Sequence, residues 1–226
     1  MNSQLTVLVG CESSGIVRTA FCDAGHDAYS CDLLPADDGS DKHFQCDVVE
    51  AISSRKWDLI ILHPPCTALA VSGNAHYGHG KPKHRHRSKA IKWTCMLWHI
   101  ATHCADYVAL ENPVGMLSRH LPVKPHYIQP YEFGHPESKR TGLWLHGLPA
   151  LKPTQVLTKP ACGYWENQTP SGQSNVPESK DRWKLRSKTY SGIAAAMATQ
   201  WPDHIRMGYG SPAPERQPLF GGLADD

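Results

Sequence analysis

The sequence lacks the patterns that are typical of membrane proteins, of secreted proteins and of proteins with a structural zinc site. No apolar stretch approaches the roughly 18 residues that a transmembrane helix needs. None of the eight cysteines is spaced as CxxC, which argues against zinc-knuckle and thioredoxin-like sites. Residues 1–5 do not read as a signal peptide, because no basic stretch precedes an apolar core. We therefore expect a cytoplasmic protein with reduced thiols, no membrane partner and no structural metal.

The sequence also lacks a strong charge and an internal repeat. Lys plus Arg number 23 and Asp plus Glu 21, so the net charge of +2 does not by itself indicate nucleic-acid binding. The 14 histidines would make the chain more basic below about pH 6.5. At about 150 residues per domain, 226 residues suit one domain with a modest appendage.

Short apolar segments alternate with helical patterns along residues 1–145. The segment Trp57–Leu62 is almost continuously apolar, which is typical of a strand buried on both faces of a parallel sheet. The alternation predicts an α/β fold with a doubly wound, mostly parallel sheet. The predicted strands are Leu5–Val9, Ala28–Cys31, Phe44–Val48, Trp57–Leu62, Tyr107–Leu110, His126–Gln129 and Thr141–Leu145, and the predicted helices are Ile16–Phe21, Val49–Ser54, Trp93–Cys104 and Tyr190–Gln200.

The remaining segments predict loops. A polar loop is expected from His63 through Lys92, and residues 146–189 form a loop-rich insert, dominated by Pro, Gly, Ser, Asn and Lys. Residues 190–206 carry a closing helix that we expect to end at Trp201-Pro202. The Gly- and Pro-rich residues 207–226 predict a disordered tail.

Polar or reactive residues follow five of the predicted strands. Ligands of doubly wound sheets bind beyond the carboxyl ends of the strands, so we expect these residues to converge on one active site. The turn Gly10–Gly15 can be either a ligand-binding loop or a tight structural turn. Asp32 and Asp47 can either contact a cofactor or cap a helix. The five groups are Gly10–Gly15, Asp32, Asp47, Pro64-Pro65-Cys66 and Glu111-Asn112-Pro113.

Cys66 and Glu111 are the candidate catalytic residues. Two prolines fix the backbone before Cys66, so its thiol is aimed, as a nucleophile requires. The alternative for Cys66, and our interpretation of the other seven cysteines, is a small core hydrophobe. A carboxyl group at the position of Glu111 can have a raised pKa and donate a proton, and the alternative is a capping residue.

Two basic segments could contact phosphates, although a solvated loop is the alternative. Residues 80–92 contain no acid, and Lys180–Lys188 interleaves Trp183 and Tyr190. Cys95, His99 and His103 share a helix face, which we interpret as packing rather than metal binding. The first segment carries Lys81, Lys83, Arg85, Arg87, Lys89 and Lys92, with His84 and His86.

The Pro64-Pro65-Cys66 and Glu111-Asn112-Pro113 tripeptides, in this order and spacing, resemble the signatures of the DNA cytosine-5 methyltransferases. The resemblance covers residues 5–145 and 190–200 and is closest to a short phage or prophage variety. It implies a sheet of the S-adenosylmethionine-dependent methyltransferase (Rossmann-like) type, with residues 1–145 as the catalytic domain, in a bacterial or phage-infected cell. The cofactor it implies is S-adenosyl-L-methionine, with Asp32 on the ribose, Asp47 near the adenine, and Gly10, Cys11, Glu12, Ser13, Gly15 and Pro64 lining the site.

The resemblance also implies a mechanism. Cys66 would attack C6 of a flipped-out cytosine in double-stranded DNA, Glu111 would hold and protonate N3, and Arg140, within Ser138–Thr141, would touch the base. The implied substrate-binding residues are Pro65, Asn112, Pro113, Lys81, Lys83, Arg85, Arg87, Lys89, Lys139 and Arg182.

The sequence departs from the family in its first motif, where Leu8 and Val9 replace the usual aromatic residue. The insert 146–189 leaves few residues for target recognition, which predicts relaxed sequence specificity. A C5 transferase for RNA or free nucleotide, a modified methyl donor, and a catalytically silent DNA-binding module remain alternatives. An intact Cys66 and Glu111 argue against the silent module, which needs neither.

Overall fold

The computed structural model describes residues 4–170, 175 and 188–208. Within them the chain forms a seven-stranded sheet with helices on both faces. The strands are β1 Thr6–Gly10, β2 Asp27–Asp32, β3 His43–Gln45, β4 Leu59–Leu62, β5 Tyr107–Pro113, β6 His126–Ile128 and β7 Thr141–His146. The helices are α1 Ile16–Asp23, α2 Val48–Ser53, α3 Asn74–Tyr77, α4 His84–Cys104 and α5 Ser191–Arg206, with 3₁₀ turns at Val71–Gly73, Met116–Arg119 and Pro130–Glu132.

The strand order β3-β2-β1-β4-β5-β7-β6 is doubly wound. Every pair from β3 to β5 is parallel, and only β7 runs antiparallel to both of its neighbours. The order reverses between β1 and β4, and this switch point opens the crevice in which such sheets bind ligands. The predicted fold class, an α/β fold with a doubly wound, mostly parallel sheet, is confirmed.

Successive side chains of the central strands point to opposite faces of the sheet and so contribute to two hydrophobic cores. In β1, Val7 and Val9 face the core that α1 and α5 cover, whereas Leu8 faces the core that α2 and α4 cover. Trp201 of α5 is fully buried in the first core, and Trp98 of α4 is buried in the second. Burial on both faces explains the continuous apolar runs of the inner strands.

Three predicted boundaries were wrong. α4 begins at His84, so the predicted loop through Lys92 is partly helix, because solvated basic residues hide the apolar periodicity of its first turns. β5 runs through Glu111-Asn112-Pro113, because its last three residues pair with β7. α5 continues past Pro202 to Arg206. Trp201 anchors that turn, since its indole Nε1 donates a 3.1 Å hydrogen bond to the Pro149 carbonyl.

The described part of 146–189 has no helix, and its only strand residue is His146 at the end of β7. The division into catalytic domain, insert and closing helix stays a prediction. The predicted tail lies, from residue 209 onward, outside the described residues. None of the helices in the described ranges is both long enough and apolar enough to cross a membrane.

Candidate active site

Cys66 lies in a turn directly beyond β4, beside the switch point. The His63 N–H donates a 2.9 Å hydrogen bond to the Gly10 carbonyl, so the chain still follows β1 as it leaves β4. Pro64 is buried and Cys66 is half-buried. The Cys66 carbonyl accepts hydrogen bonds from the N–H groups of Leu69 and Ala70, at 2.9 and 2.8 Å. The Cys66 residue is therefore on an ordered turn with some solvent access.

Two hydrogen bonds tie this turn to the end of β5. The Asn112 Nδ2 donates to the Pro64 carbonyl at 2.8 Å, and His63 Nδ1 lies 3.2 Å from Glu111 Oε2. The parallel register that pairs Leu62 with Leu110 places the two strand ends side by side. The structure thus brings the two predicted tripeptides together.

The Glu111 carboxyl has a lowered pKa, whereas the sequence analysis expected a raised one. Burial raises the pKa, but the hydrogen bond and charge of His63 outweigh it, with help from the charge of Lys139 and a hydrogen bond from Thr141. The expectation failed because it counted burial and omitted the partners. In the absence of substrate, Glu111 is therefore an ionised carboxylate at neutral pH.

The basic residue beside Glu111 is Lys139 rather than Arg140. Lys139 and Thr141 line a small cavity together with Glu111. Arg140 is exposed, and its guanidinium carbon lies 4.3 Å from the ring centroid of Tyr127. Side chains two residues apart in an extended chain share a face, so Lys139 points with Thr141 and Arg140 points away. The geometry does not favour the predicted catalytic role of Arg140.

Arg87 braces the turn after Cys66. It is 4% exposed, and its guanidinium donates to the Ala68 carbonyl at 2.6 Å, to the Asn74 side chain at 2.7 Å and to the Ala70 carbonyl at 3.3 Å. The geometry does not favour the predicted phosphate contact of Arg87, because its fork of donors is already engaged inside the protein.

The segment after β5 holds the other side of this turn. The Val71 N–H donates to the Val114 carbonyl at 3.0 Å, and the Met116 N–H donates to the Leu69 carbonyl at 2.9 Å. Pro113 closes β5 opposite Thr141. The turn that carries Cys66 is thus fixed by contacts to both α4 and the strand of Glu111.

The other cations of the first basic segment are exposed. They are Lys81, Lys83, Arg85, Lys89 and Lys92. Of the second segment, Arg182 and Trp183 lie outside the described residues. Lys188 forms an ion pair with Asp37 at 3.6 Å, and the Tyr190 hydroxyl donates to Glu137.

Cys11, Asp32 and Asp47 meet at the ends of β1, β2 and β3. Burial, and then the nearby Asp32 and Asp47 carboxylates, raise the pKa of the Cys11 thiol to about 12. Asp47 accepts the Val49 N–H at 2.8 Å and caps α2, as the capping alternative expected. Asp32 accepts the Leu34 N–H at 2.9 Å. Its second carboxylate oxygen has no hydrogen-bond partner among residues 4–170, 175 and 188–208.

The first turn is shaped largely by helix α1. The buried Glu12 carboxylate accepts the Val17 and Arg18 N–H groups at 2.8 and 3.3 Å, which satisfies the start of the helix. Ser13 offers its carbonyl to the Asp37 N–H. A Cβ at Gly15, where φ is +69°, would lie 2.3 Å from the Arg18 guanidinium, and one at Gly10 would lie 2.6 Å from Val48. Close packing alone therefore explains why glycine occupies positions 10 and 15.

No group of three or more His, Cys, Asp or Glu side chains suited to a metal ion occurs in the described ranges. His103 Nδ1 lies 2.8 Å from the His99 carbonyl, so that ring is engaged with its own helix. The Cys95 thiol lies 3.8 Å from the His120 carbonyl. His99 and His103 are exposed and Cys95 is half-buried, so this helix face is not the buried packing face that the sequence predicted.

Sequence reasoning missed His63 and Thr141 as partners of Glu111. His63 is predicted only as the first residue of a polar loop, although its place just before the two prolines puts it in the turn with Cys66. Alternation within Lys139–Thr141 could have selected Lys139 and Thr141 over Arg140.

No family model matches the chain, and no curated protein matches it. Solved structures with a similar fold include the Entamoeba histolytica methyltransferase EhMeth, with 15% identity over 69% of this chain and 58% of that one, at a TM-score of 0.47. S. pombe Dnmt2 methyltransferase has 15% identity over 70% of this chain and 52% of its own, at 0.41. A mutant Spodoptera frugiperda DNMT2 has 14% identity over 70% and 56%, at 0.39.

The chain spans between 52% and 58% of the length of these three proteins. At such identities and TM-scores, no activity follows from the likeness.

Proposed function

We propose that the protein transfers a methyl group from S-adenosyl-L-methionine to C5 of cytosine in DNA, through a covalent bond between Cys66 and C6. The observation that carries the proposal is the hydrogen-bonded union of the Cys66 turn with Glu111 and Asn112. Neither a binding module nor a purely structural sheet needs a half-buried thiol in a turn joined to a half-buried carboxylate that is supported by nearby positive charge.

The residues at the ends of β1 and β2 fit the proposed cofactor. The free oxygen of Asp32 can accept ribose hydroxyls, as acids at this position of doubly wound sheets do. Leu33 and Leu34 are 71% and 44% exposed and offer apolar surface for the adenine, in place of the missing aromatic residue. Asp47 has one oxygen on the Val49 N–H, and Cys11 stays a neutral thiol, so neither opposes a sulfonium. Gly10, Glu12, Ser13, Gly15 and Pro64 remain predicted lining residues.

When bound, S-adenosyl-L-methionine supplies an electrophilic methyl group. The Cys66 thiolate adds to C6, and the electron pair of the C5–C6 double bond then becomes available at C5. Once C5 carries the methyl group, it loses its proton, and the C6–S bond breaks to return the thiolate. Cytosine C5 is a poor nucleophile without this addition, so a group that both adds and leaves at neutral pH is required.

Glu111 holds the cytosine during this addition. Its carboxylate is half-buried, and it shares a hydrogen bond with His63, so a proton held between the two residues can pass to N3. Lys139 places a positive charge where negative charge develops on the base. This division of roles replaces the single protonated glutamate that the sequence analysis expected.

The proposed partner is DNA with the target cytosine flipped out. Base flipping costs a few kcal/mol, which phosphate contacts must offset. The exposed cations Lys81, Lys83, Arg85, Lys89 and Lys92 lie on α4 or just before it, close in sequence to the Cys66 turn. The short insert 146–189 leaves few residues for target recognition, which supports relaxed sequence specificity.

The test is expression in cells that lack cytosine methylation, followed by nucleoside mass spectrometry of DNA and RNA. We expect 5-methylcytosine in DNA with the wild type and with Cys162→Ser, which changes an exposed cysteine elsewhere. We expect none with Cys66→Ser. Modification confined to RNA would assign the substrate to RNA, a different mass at C5 would assign a modified donor, and unmodified nucleic acids would contradict the proposal.

A second test traps the covalent step directly. In DNA that contains 5-fluorocytosine, C5 carries fluorine in place of its proton, so after methyl transfer from S-adenosyl-L-methionine no proton can leave C5 and the bond between Cys66 and C6 persists. We expect a stable adduct on denaturing gels with the wild type and none with Cys66→Ser. An adduct that survives the substitution would show that Cys66 is not the nucleophile.

A further inference from the structure

A cavity of about 360 Å³ lies next to the Cys66 turn, separate from the one lined by Glu111. Pro65 and Thr67 line it, and these residues directly flank Cys66 in the chain. Its other walls are Ala68, Tyr77 of α3, and His86, Lys89 and Ala90 of α4. The cavity therefore lies against the turn that carries the proposed nucleophile.

The lining combines flat apolar surface with positive charge. Pro65 and Ala90 form apolar wall, and Tyr77 presents a half-buried aromatic ring. The exposed Lys89 brings an ammonium group, and Lys83 places its Nζ 5.7 Å from the centroid of the Tyr77 ring. Such a lining suits a ligand with one planar apolar part and one anionic part.

The segment that lines the cavity carries no carboxylate. Residues 59–105 include no Asp and no Glu, although they include six Lys and Arg. This segment supplies every wall of the cavity. An anion in the cavity thus meets positive charge without repulsion from a carboxylate of the lining segment, whereas a cation would be disfavoured.

The cavity is built on rigid backbone. Buried Arg87 ties α4 to the Ala68 carbonyl and to Asn74, the first residue of the helix that carries Tyr77. A Cβ at Gly73 would lie 2.6 Å from the Thr67 carbonyl, so α3 begins in close contact with the Cys66 turn. The walls are thus held by the same contacts that fix the proposed nucleophile.

We propose that this cavity holds a nucleotide of the nucleic-acid substrate that neighbours the target cytosine, with its base against Tyr77 and a phosphate near Lys89. The inference rests on the proposed function, because it is the target base at Cys66 that brings a neighbouring nucleotide to this wall. Stacking on an aromatic ring tolerates any base, which agrees with relaxed sequence specificity.

The test measures binding by fluorescence anisotropy in the Cys66→Ser background, so that no chemistry intervenes. One probe is a mixed-sequence single-stranded oligodeoxynucleotide, and the other is an abasic phosphodiester of equal length and charge. We expect Tyr77→Ala to weaken binding of the base-bearing probe about ten-fold, as loss of one stacked base does, and to leave the abasic probe unchanged. Lys89→Ala should weaken both and lower the salt slope by about one.

Matched variants keep the result interpretable. Tyr127→Ala and Lys124→Ala remove an exposed tyrosine and an exposed lysine outside the cavity, and should change neither affinity. Tyr77→Leu keeps apolar bulk in the wall, so an equal loss in this variant, with an unchanged melting temperature, assigns the effect to the aromatic face.

Normal binding of the base-bearing probe by Tyr77→Ala and Tyr77→Leu would overturn the cavity proposal, even if the wild type methylates cytosine. Displacement of the probe by micromolar deoxycytidine monophosphate would assign the cavity to a free nucleotide instead of a polymer. Conversely, Tyr77-dependent binding without any methylated cytosine would leave the cavity assignment standing and overturn only the proposed methyl transfer.

Discussion

Asn112 donates a 2.8 Å hydrogen bond from its side-chain amide to the carbonyl of Pro64, and so joins the strand of Glu111 to the turn of Cys66. Both residues are buried, and neither needs to touch the substrate for this contact to matter. The bond converts two neighbouring strand ends into one rigid unit. The distance between thiol and carboxylate is then set by the fold rather than by side-chain motion.

Asn112→Ala should reduce both stability and turnover. The substitution leaves the buried Pro64 carbonyl without its donor, which costs about 1–3 kcal/mol of unfolding free energy. We expect urea unfolding to show this loss, and the rate of adduct formation with 5-fluorocytosine DNA to fall at least about ten-fold, the equivalent of 1.4 kcal/mol in the barrier. Asn112→Asp keeps the shape of the side chain but places an acceptor opposite the Pro64 carbonyl. If Asn112→Asp changed neither the unfolding free energy nor the rate of adduct formation, this account would be contradicted.

Arg87→Lys should disturb the active site without touching substrate. A lysine retains the charge, but it cannot span the Ala68 carbonyl, the Ala70 carbonyl and Asn74 at once. We expect a loss of about 1–3 kcal/mol in unfolding free energy and slower adduct formation. Arg85→Lys is the matched control, because Arg85 is exposed two residues away in the same helix. Equal behaviour of the two variants would return Arg87 to the role of a phosphate contact.

Glu111 should make stability depend on pH in a defined direction. Its pKa is lower in the folded chain than in the unfolded chain, so its ionised form stabilises the fold above the usual glutamate pKa of about 4.3. That contribution is lost as the pH falls through the lower, folded pKa. We therefore expect the stability advantage of the wild type over Glu111→Gln to be larger at about pH 7 than at about pH 3 in urea unfolding.

His63 is the main cause of that lowered pKa, so its removal should change the pH profile. In His63→Ala, burial acts against the carboxylate without its hydrogen-bond partner, and the pKa of Glu111 should rise. The difference in unfolding free energy between His63→Ala and the double variant His63→Ala/Glu111→Gln should therefore no longer grow between about pH 3 and about pH 7, and it can change sign. The acid limb of the adduct-formation rate should move to higher pH. An unmoved profile would mean that His63 and Glu111 act independently.

The pattern of strands and strand ends was readable from the sequence, because parallel sheets demand continuous apolar runs and place reactive residues after them. All seven predicted strands overlap observed ones. The start of α4 was not readable, because a basic face in water obscures the helical period. The surroundings of Arg87 and Arg140 could not be predicted, because local sequence does not show that Arg87 turns inward onto carbonyls or that Arg140 meets Tyr127 from another strand.

Lys139 and Arg140 offer the sharpest comparison, since they are adjacent cations with opposite surroundings. Lys139→Ala removes the positive charge that lines the cavity of Glu111, so we expect adduct formation to slow by about ten- to a thousand-fold, the range seen when a preorganised electrostatic group is removed. Arg140→Ala removes an exposed guanidinium stacked on Tyr127 and should change the rate little. The measurement is the single-turnover rate with 5-fluorocytosine DNA for both variants, with unfolding curves to establish that each is folded. The opposite order, with Arg140→Ala the slower, would restore the role that the family resemblance gave to Arg140 and would remove Lys139 from the mechanism.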